Sequence, residues 1–401
     1  LAELGALYES SGRLEAAREV LEACARAAPE AVEPKLALAR IARRQGRRAE
    51  ALRRLEGLTG PGAPPALRAE AWTERCYVHD GEGEAEAAAG AIAEAHALLR
   101  ALPQTPELLR RARANNRMIE TLARAFDRET LEGWRRRQGR GDARVSGLAH
   151  LVGFPRSGTT LLEQHLDAHP ALVASPERAV FTQDALPRLC RAGGGALSVA
   201  TLDRAPRRAV RDVRARYLDA MEGLLGEPLG GRLHLDKNPN HAGLLPALLR
   251  LGPEARVVFA IRDPRDVVTS CVLRSFRPTE FSAMLLDWGT ATELYAAEMG
   301  TWLRNREALD PSRRVETRYE DMVADPMGEA RRVLAGLGLP WDPGVARWRE
   351  RLEGKVVNSP TQTDVRRPVH GRAVGRWRAY RRHLAPHMAR LEPFLDAFGY
   401  G

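Results

Sequence analysis

Hydrophobic and polar positions follow two different patterns along the chain. Residues 1–102 are rich in Ala, Leu, Arg and Glu and contain almost no runs of β-branched residues, a composition that predicts helices. From Leu148 onward, short apolar runs typical of buried strands lead into polar loops and helical stretches. We therefore expect an all-α domain followed by an α/β domain in which helices flank a parallel sheet.

The helical part repeats itself after 34 residues. The matching positions are Leu4, Gly5, Tyr8, Gly12, Ala17, Leu21 and Pro29 in the first unit, and Leu38, Ala39, Gly46, Ala51 and Leu55 in the second. A third, looser unit has Gly83, Ala88 and Ile92. Small residues where two helices touch, and a glycine in the turn between them, predict helix pairs that stack to bury their apolar faces. The pattern resembles the tetratricopeptide repeat.

That resemblance implies one of two roles for the helical part. It forms either a concave surface for a protein or peptide partner, or a helical cap that only stabilises the next domain. After this helical part, the residues from Pro106 through Arg137 are predicted to form connecting helices. Gly139 and Gly141 then mark a domain boundary. The predicted domains are a tetratricopeptide-repeat domain at residues 1–102, connecting helices at 103–146 and the α/β domain at 147–401.

Composition narrows the class of protein. With 401 residues, 44% of them apolar, the chain is typical of a soluble globular protein, and it has no apolar run of 18 residues that would predict a membrane span. It opens at Leu1 without a basic segment followed by an apolar stretch, so it shows no signal peptide. Its cysteines, which lie far apart, argue against a metal cluster or a disulfide framework and favour a reducing, cytoplasmic location; they are Cys24, Cys76, Cys190 and Cys271.

The charge of the chain favours an anionic ligand. The formal net charge is +10, with 62 basic against 52 acidic residues. A run such as Arg135–Arg137 is expected to be a solvated face, so no nucleic-acid partner is predicted. Only three of the basic residues are lysine, which makes each of them a candidate for a specific role; they are Lys35, Lys237 and Lys355.

A phosphate-binding loop is predicted at the start of the α/β domain. The apolar run at 148–152 predicts a strand, and after it come the loop GFPRSGTT at 153–160 and a helix to about Ala168. Loop amides and a helix N-terminus placed after a strand hold anions. The nucleotide-hydrolase motif GxxxxGK[ST] would require a lysine at Thr159, and Arg156 lies inside the loop instead. A Walker-type ATPase is therefore disfavoured.

The string PRSGTT at 155–160 resembles the 5′-phosphosulfate loop of sulfotransferases, which use 3′-phosphoadenosine 5′-phosphosulfate (PAPS). A second motif similar to that family's 3′-phosphate site begins about 106 residues after Arg156, where the β-branched strand 256–261 ends. An arginine fork and a hydroxyl can bind a terminal phosphate there. The resemblance implies a P-loop-like sulfotransferase domain that binds the 5′-phosphosulfate through Arg156, Ser157, Gly158, Thr159 and Thr160, and the 3′-phosphate through Arg262, Ser270 and Arg274.

Further motifs are similar to those of the tyrosylprotein sulfotransferases and their bacterial relatives with repeat domains. Glu177 lies at the distance from the loop of that branch's catalytic base, although Pro176 replaces the first of its usual paired acids. Lys237 matches the lysine site of that branch, and Tyr319 matches its cofactor-contacting tyrosine. The competing candidate for the base is His241, since another sulfotransferase branch uses histidine.

The family also closes its cofactor pocket with a loop near the C-terminus. That loop carries a serine or threonine and a basic residue. Thr361 and Arg376 are the matching positions here, and Arg372 is the alternative to Arg376.

The resemblance implies transfer of a sulfuryl group from PAPS to an acceptor hydroxyl. Arg156 and Lys237 would stabilise charge and Glu177 would take the acceptor proton, without a metal ion. Protein tyrosine, presented with help from the repeats, is the first candidate acceptor, and a carbohydrate or a small metabolite is the alternative. A function of another class stays open, namely a repeat-bearing scaffold whose second domain binds nucleotide without turnover.

Overall fold

The computed structural model describes residues 1–138, 142–274, 278–352 and 371–401. By its internal contacts the chain separates into two units. The first unit comprises Leu1–Arg113, Val268–Glu293 and Arg376–Ala389. The second comprises Ala114–Val267, Leu294–Gly375 and Arg390–Gly401. The domain boundaries drawn from the sequence at residues 102 and 146 stay predictions.

Helices form most of the described chain, and five strands form its sheet. The strands are β1 Gly147–Gly153, β2 Leu172–Ser175, β3 Leu233–Lys237, β4 Arg256–Ile261 and β5 Arg314–Arg318. The helices up to the first strand are α1 Ala2–Ser10, α2 Leu14–Ala27, α3 Val32–Arg44, α4 Arg48–Glu56, α5 Pro65–Gly81, α6 Ala85–Arg100, α7 Thr105–Ala125 and α8 Arg128–Gln138. The later helices are α9 Thr159–Leu166, α10 Leu186–Ala192, α11 Val199–Arg204, α12 Arg207–Leu225, α13 Leu245–Leu251, α14 Pro264–Val272, α15 Glu280–Met284, α16 Trp288–Ala308, α17 Tyr319–Ala324, α18 Pro326–Gly336, α19 Trp348–Leu352, α20 Arg381–Leu384 and α21 Met388–Phe398. Within the described residues, none of these helices is both long and apolar enough to cross a bilayer.

The first unit contains three successive helix pairs, and the predicted all-α character of this region is confirmed. A left-handed glycine follows the first helix of each pair, with φ of +80° at Gly12, +75° at Gly46 and +77° at Gly83. Side chains other than glycine rarely adopt that conformation, so glycine is the residue that lets the chain reverse within a few residues. The spacing of 34 residues between Gly12 and Gly46 agrees with the predicted repeat. Membership of the tetratricopeptide family stays a prediction.

Small residues lie where the helices of each pair touch. The equivalent residues Ala17, Ala51 and Ala88 are all fully buried. A Cβ atom at Gly5 would lie 2.7 Å from Cγ of Leu21, so only glycine allows α1 and α2 to pack this closely. The period seen in the sequence therefore reflects close helix packing.

The second unit is built on a parallel sheet with the strand order β2-β3-β1-β4-β5. Alternate residues of the central strand face opposite layers, as strand geometry requires. Leu151 belongs to an apolar cluster with Leu162 and Leu166 of α9, which covers one face of the sheet. On the other face, Phe259 of β4 stacks on Trp302 of α16 with ring centroids 3.9 Å apart. Because these strands are buried on both faces, their sequences are almost continuously apolar.

The chain order places a ligand crevice at one edge of this sheet. β1 lies in the centre, with the next two strands, β2 and β3, on one side of it and the last two, β4 and β5, on the other. Parallel α/β sheets bind ligands outside the carboxyl ends of their strands, at the point where the order reverses. The loops after β1, β3 and β4 all begin at this edge.

Candidate active site

The loop between β1 and α9 has the geometry of an anion cradle. Arg156 and Gly158 both take the left-handed conformation, with φ of +76° and +86°. The N–H group of Ser157 donates to the carbonyl of Phe154 at 3.2 Å, which closes the turn. α9 then begins at Thr159, so the amides of its first turn and the positive end of its dipole lie at the loop.

Glycine at position 158 is required by a close neighbour as well as by its φ angle. A Cβ atom there would lie 2.6 Å from Cδ2 of Tyr319, the first residue of α17. The ring of Tyr319 therefore packs directly against the cradle. It also lies under the guanidinium of Arg262, whose Cζ is 4.7 Å from the ring centroid.

Lys237, the last residue of β3, is buried beside two carboxylates. Its Nζ donates to Oε1 of Glu177 at 2.6 Å and lies 3.1 Å from Oε2 of Glu163. β3 pairs with β1 so that Lys237 is opposite Leu151, and this register brings the lysine to the edge where the cradle begins. Glu177 follows β2 by two residues.

Burial and charge act in opposite directions on this group. Burial disfavours the ammonium of Lys237, but Glu163 and Glu177 outweigh it and raise its pKa, so the lysine stays charged at neutral pH. Burial raises the pKa of the Glu163 carboxyl to about 7, although Lys237 acts to lower it. The site thus combines a fixed cation with an acid that ionises near neutral pH.

Arg262, directly after β4, is buried and held by backbone oxygens. Its Nη1 donates to the carbonyl of Arg156 at 3.0 Å and its Nη2 donates to the carbonyl of Ala373 at 2.5 Å. Its Nε is buried without a hydrogen-bond partner among the described residues. Its Nη2 also lies 3.9 Å from Oδ2 of the buried Asp266, a longer ion pair than either carboxylate contact of Lys237. A buried guanidinium whose described carboxylate partner lies this far away is suited to an anionic ligand.

Each of the five strands therefore delivers one part of the same site. The loop with Arg156 follows β1, Glu177 follows β2 and Lys237 ends β3. Arg262 follows β4 and Tyr319 follows β5. Of the site residues predicted from the sequence, these and the loop residues Ser157, Gly158, Thr159 and Thr160 lie together at the carboxyl edge of the sheet.

The rival base, His241, lies in a buried turn. The amide nitrogen of Asn238 donates to its Nε2 at 3.1 Å, and its ring contacts Phe181 edge-on, with centroids 5.4 Å apart. Burial lowers the pKa of His241. Glu177 is more accessible, since a quarter of its side chain is exposed.

The remaining predicted residues are described separately from this group. Ser270 and Arg274 are described with the first unit, where Arg274 lines a cavity beside His96 and Leu99. Arg376 also belongs to the first unit, where its Nη2 lies 2.7 Å from Oδ2 of Asp80. Their predicted cofactor contacts, and that of the alternative Arg372, stay predictions. Thr361 lies outside the described residues.

Sequence reasoning missed Glu163. It lies four residues after Thr159, in a helix that is buried over most of its length and carries the apolar Leu162 and Leu166. An acidic residue on the apolar side of a helix is costly to bury unless a cation pairs with it. The sequence therefore indicated a buried acidic residue, but it did not identify the cation that pairs with it.

Comparison with known proteins agrees with this geometry. Residues 150–343 match the model of the sulfotransferase family. This part of the chain, just under half of its length, is similar to that family.

Named relatives differ in what they act on. The nodulation protein NoeE of Sinorhizobium fredii is 32% identical over 213 residues, which cover 49% of this chain and 50% of that protein. Protein-tyrosine sulfotransferase 2 of Gallus gallus is 25% identical over 285 residues, covering 63% of this chain and 72% of that protein. The omega-hydroxy-beta-dihydromenaquinone-9 sulfotransferase Stf3 of Mycobacterium bovis is 30% identical over 172 residues, covering 39% and 43%. The chain thus spans about half the length of two of these relatives.

Proposed function

We propose that this protein transfers a sulfuryl group from PAPS to an acceptor hydroxyl. The observation that carries the proposal is the contact between Lys237 and Glu177, 2.6 Å apart, at the same sheet edge as the cradle. It supplies a buried cation and a more accessible base side by side. The match to the sulfotransferase family supports the same reaction.

Each residue of the site has its own role in the transfer. Glu177 accepts the proton of the acceptor hydroxyl while that oxygen forms a bond to sulfur. The bond between sulfur and the 5′-phosphate oxygen breaks, and its electron pair stays on the phosphate of adenosine 3′,5′-bisphosphate. Lys237 and Arg156 stabilise the negative charge that develops there. No side chain is required to form a covalent intermediate.

The donor set of the site fits PAPS. The left-handed loop and the start of α9 present amides to the phosphosulfate, as helix N-termini do for phosphate groups. Arg262 is proposed to bind the 3′-phosphate, and its buried Nε, which has no hydrogen-bond partner in the described parts of the chain, supports that assignment. Ser270, Arg274, Thr361 and Arg376 are proposed as further contacts on the family resemblance alone.

Protein tyrosine is our first candidate for the acceptor. A phenol has a pKa of about 10, so a carboxylate such as Glu177 is a sufficient base when the acceptor is well positioned. The likeness to protein-tyrosine sulfotransferase 2 supports a tyrosine acceptor. The likeness to Stf3, which is named for a small-molecule substrate, supports a metabolite as the second candidate.

The helix pairs of the first unit are proposed to assist a polypeptide acceptor. If they do, the Michaelis constant should fall as a tyrosine-containing acceptor is lengthened from a short peptide to a whole protein. Equal constants for both lengths would assign the helix pairs a purely stabilising role.

Two measurements test the proposed function. Adenosine 3′,5′-bisphosphate at 100 times its dissociation constant should stabilise the fold by about 2.7 kcal/mol, and ATP at the same concentration by much less. Radiolabelled PAPS should transfer label to tyrosine peptides, and Lys237→Ala should abolish most of that transfer. Equal stabilisation by both nucleotides, or label transfer that is insensitive to Lys237→Ala, would contradict the assignment.

A further inference from the structure

Lys237 contacts a second carboxylate that the transfer chemistry does not use. Oε2 of Glu163 lies 3.1 Å from Nζ of Lys237, only 0.5 Å farther than Oε1 of Glu177 at 2.6 Å. The exposed fraction of the Glu163 side chain is 8%, against 25% for Glu177. Glu177 is therefore the one of the two that an acceptor can approach.

We infer that Glu163 is a positioning residue, which holds the ammonium of Lys237 in place and keeps it charged while Glu177 takes up the acceptor proton. The inference rests on the proposed function, because it assigns Glu163 a part in the same transfer. Glu163 itself does not touch the reacting atoms.

The charge balance of the group explains why a second carboxylate is useful. A lysine ammonium has three donors, and these two carboxylates take two of them. When Glu177 becomes protonated it no longer offsets the charge of Lys237, which is buried. A buried ammonium without a counter-charge loses its proton more readily. Glu163 remains as that counter-charge while the leaving oxygen becomes negative.

The position of Glu163 is also fixed by the helix that carries it. It lies in α9, one turn after the helix start that forms the anion cradle, so it connects Lys237 to the element that binds the phosphosulfate. Burial sets its pKa at about 7, and the nearby Asp167 and Glu177 add to that rise. Its hold on Lys237 should therefore strengthen as the pH rises through about 7.

The small number of lysines makes a direct test practical. In protein labelled with ¹³C-lysine, the ε-carbon signals come from Lys35, Lys237 and Lys355, and Lys35→Arg and Lys355→Arg assign them. We expect Lys237 to lose its proton at a lower pH in Glu163→Gln than in the original protein. Turnover should fall on the order of 10- to 10²-fold, with the Michaelis constant for PAPS little changed, because displaced catalytic groups act on the chemical step.

Two further variants keep the test decisive. Glu329→Gln removes another buried carboxylate, which pairs with Arg332 at 2.6 Å, and should leave the titration of Lys237 unchanged. Glu163→Asp keeps the charge, so the pH at which Lys237 loses its proton should be close to that in the original protein. This variant can be measured even if Glu163→Gln does not fold.

The outcomes separate this inference from the proposed function. Unchanged titration of Lys237 in Glu163→Gln, a titration in Glu163→Asp lowered as far as in Glu163→Gln, or an equal effect of Glu329→Gln, would overturn the positioning role even if sulfuryl transfer is observed. A lowered titration pH in a protein that transfers no sulfuryl group would support the hold of Glu163 on Lys237 and overturn the proposed reaction.

Discussion

The ends of β3 and β4 carry two buried cations with opposite surroundings. Lys237, at the end of β3, lies against two carboxylates at 2.6 and 3.1 Å. Arg262, after β4, donates to two backbone carbonyls at 3.0 and 2.5 Å. Both side chains are almost completely removed from solvent, so solvation does not distinguish them.

The difference separates a group suited to chemistry from a group suited to binding. Carboxylates balance the charge of Lys237 before any ligand arrives and hold its proton in place. Carbonyl oxygens orient the guanidinium of Arg262, and the carboxylate of Asp266 lies 3.9 Å from its Nη2, so its charge is less closely balanced than that of Lys237 and can be offset further by an anion. We therefore expect changes beside Lys237 to affect turnover and changes at Arg262 to affect affinity.

The largest effect is expected for Glu177→Gln, which keeps the shape of the side chain but removes the base. Turnover should fall about 10²–10⁴-fold, the usual contribution of a positioned base, with little change in affinity for adenosine 3′,5′-bisphosphate. Steady-state kinetics and calorimetry would measure the two quantities. The matched variant is His241→Ala. If that variant is inactive while Glu177→Gln retains most of its turnover, histidine is the base.

A somewhat smaller loss is expected for Lys237→Met, which keeps the length of the side chain and removes its charge. Turnover should fall by about 10²–10³-fold, as for the loss of one preorganised group that stabilises developing charge. Lys35→Met, at a lysine of the helical unit, is the control and should be fully active. Urea unfolding of both variants separates loss of function from loss of fold. An active Lys237→Met protein would remove the functional distinction between the two strand ends.

The parts of this architecture that could be predicted from the sequence are those with local signals. The apolar runs at 148–152 and 256–261 predict the two central strands, because parallel strands buried on both faces have continuous apolar sequences. β2, with only four residues, was not predicted, since so short a run cannot be told from a loop by periodicity. The loop at 153–160 was recognised because its glycines and helix start are contiguous.

Residues that depend on distant partners could not be placed in this way. Tyr319, the first residue of α17, packs against the loop that contains Gly158, and no local pattern in the sequence shows this contact. The Nε of Arg376 lies 3.1 Å from Oδ1 of Asp80, which is 296 residues away in sequence, and the sequence did not predict this contact. Pairings across such separations leave no local pattern in one sequence. The same reason explains why the pairing of Glu163 with Lys237 was missed.

At the end of β4, Arg262→Ala should act mainly on binding. Loss of a charged contact to the 3′-phosphate costs about 1.5–3 kcal/mol, so affinity for adenosine 3′,5′-bisphosphate should weaken about 10- to 10²-fold with turnover at saturation nearly unchanged. Adenosine 5′-phosphosulfate, which lacks the 3′-phosphate, is the control ligand, and its affinity should change little. Equal losses for both ligands would mean that Arg262 supports the loop through its bond to the Arg156 carbonyl and does not read the 3′-phosphate.

The last prediction concerns stability first and ligand binding only indirectly, through the ring that lies between the cradle and Arg262. Gly158→Ala places a methyl group 2.6 Å from Cδ2 of Tyr319, at a φ of +86°. The left-handed conformation costs alanine about 1–2 kcal/mol and the crowding adds about 1–3 kcal/mol, so urea unfolding should show a loss of about 2–5 kcal/mol. Gly46→Ala is the matched control, because it has a φ of +75° and no atom within 4 Å of the added methyl group, and it should lose only the conformational part.

Displacement of Tyr319 should also weaken the binding of adenosine 3′,5′-bisphosphate, since the same ring packs under Arg262 at 4.7 Å. Equal destabilisation by the two variants, with bisphosphate affinity unchanged in Gly158→Ala, would show that the ring of Tyr319 moves aside freely and that Arg262 does not depend on it.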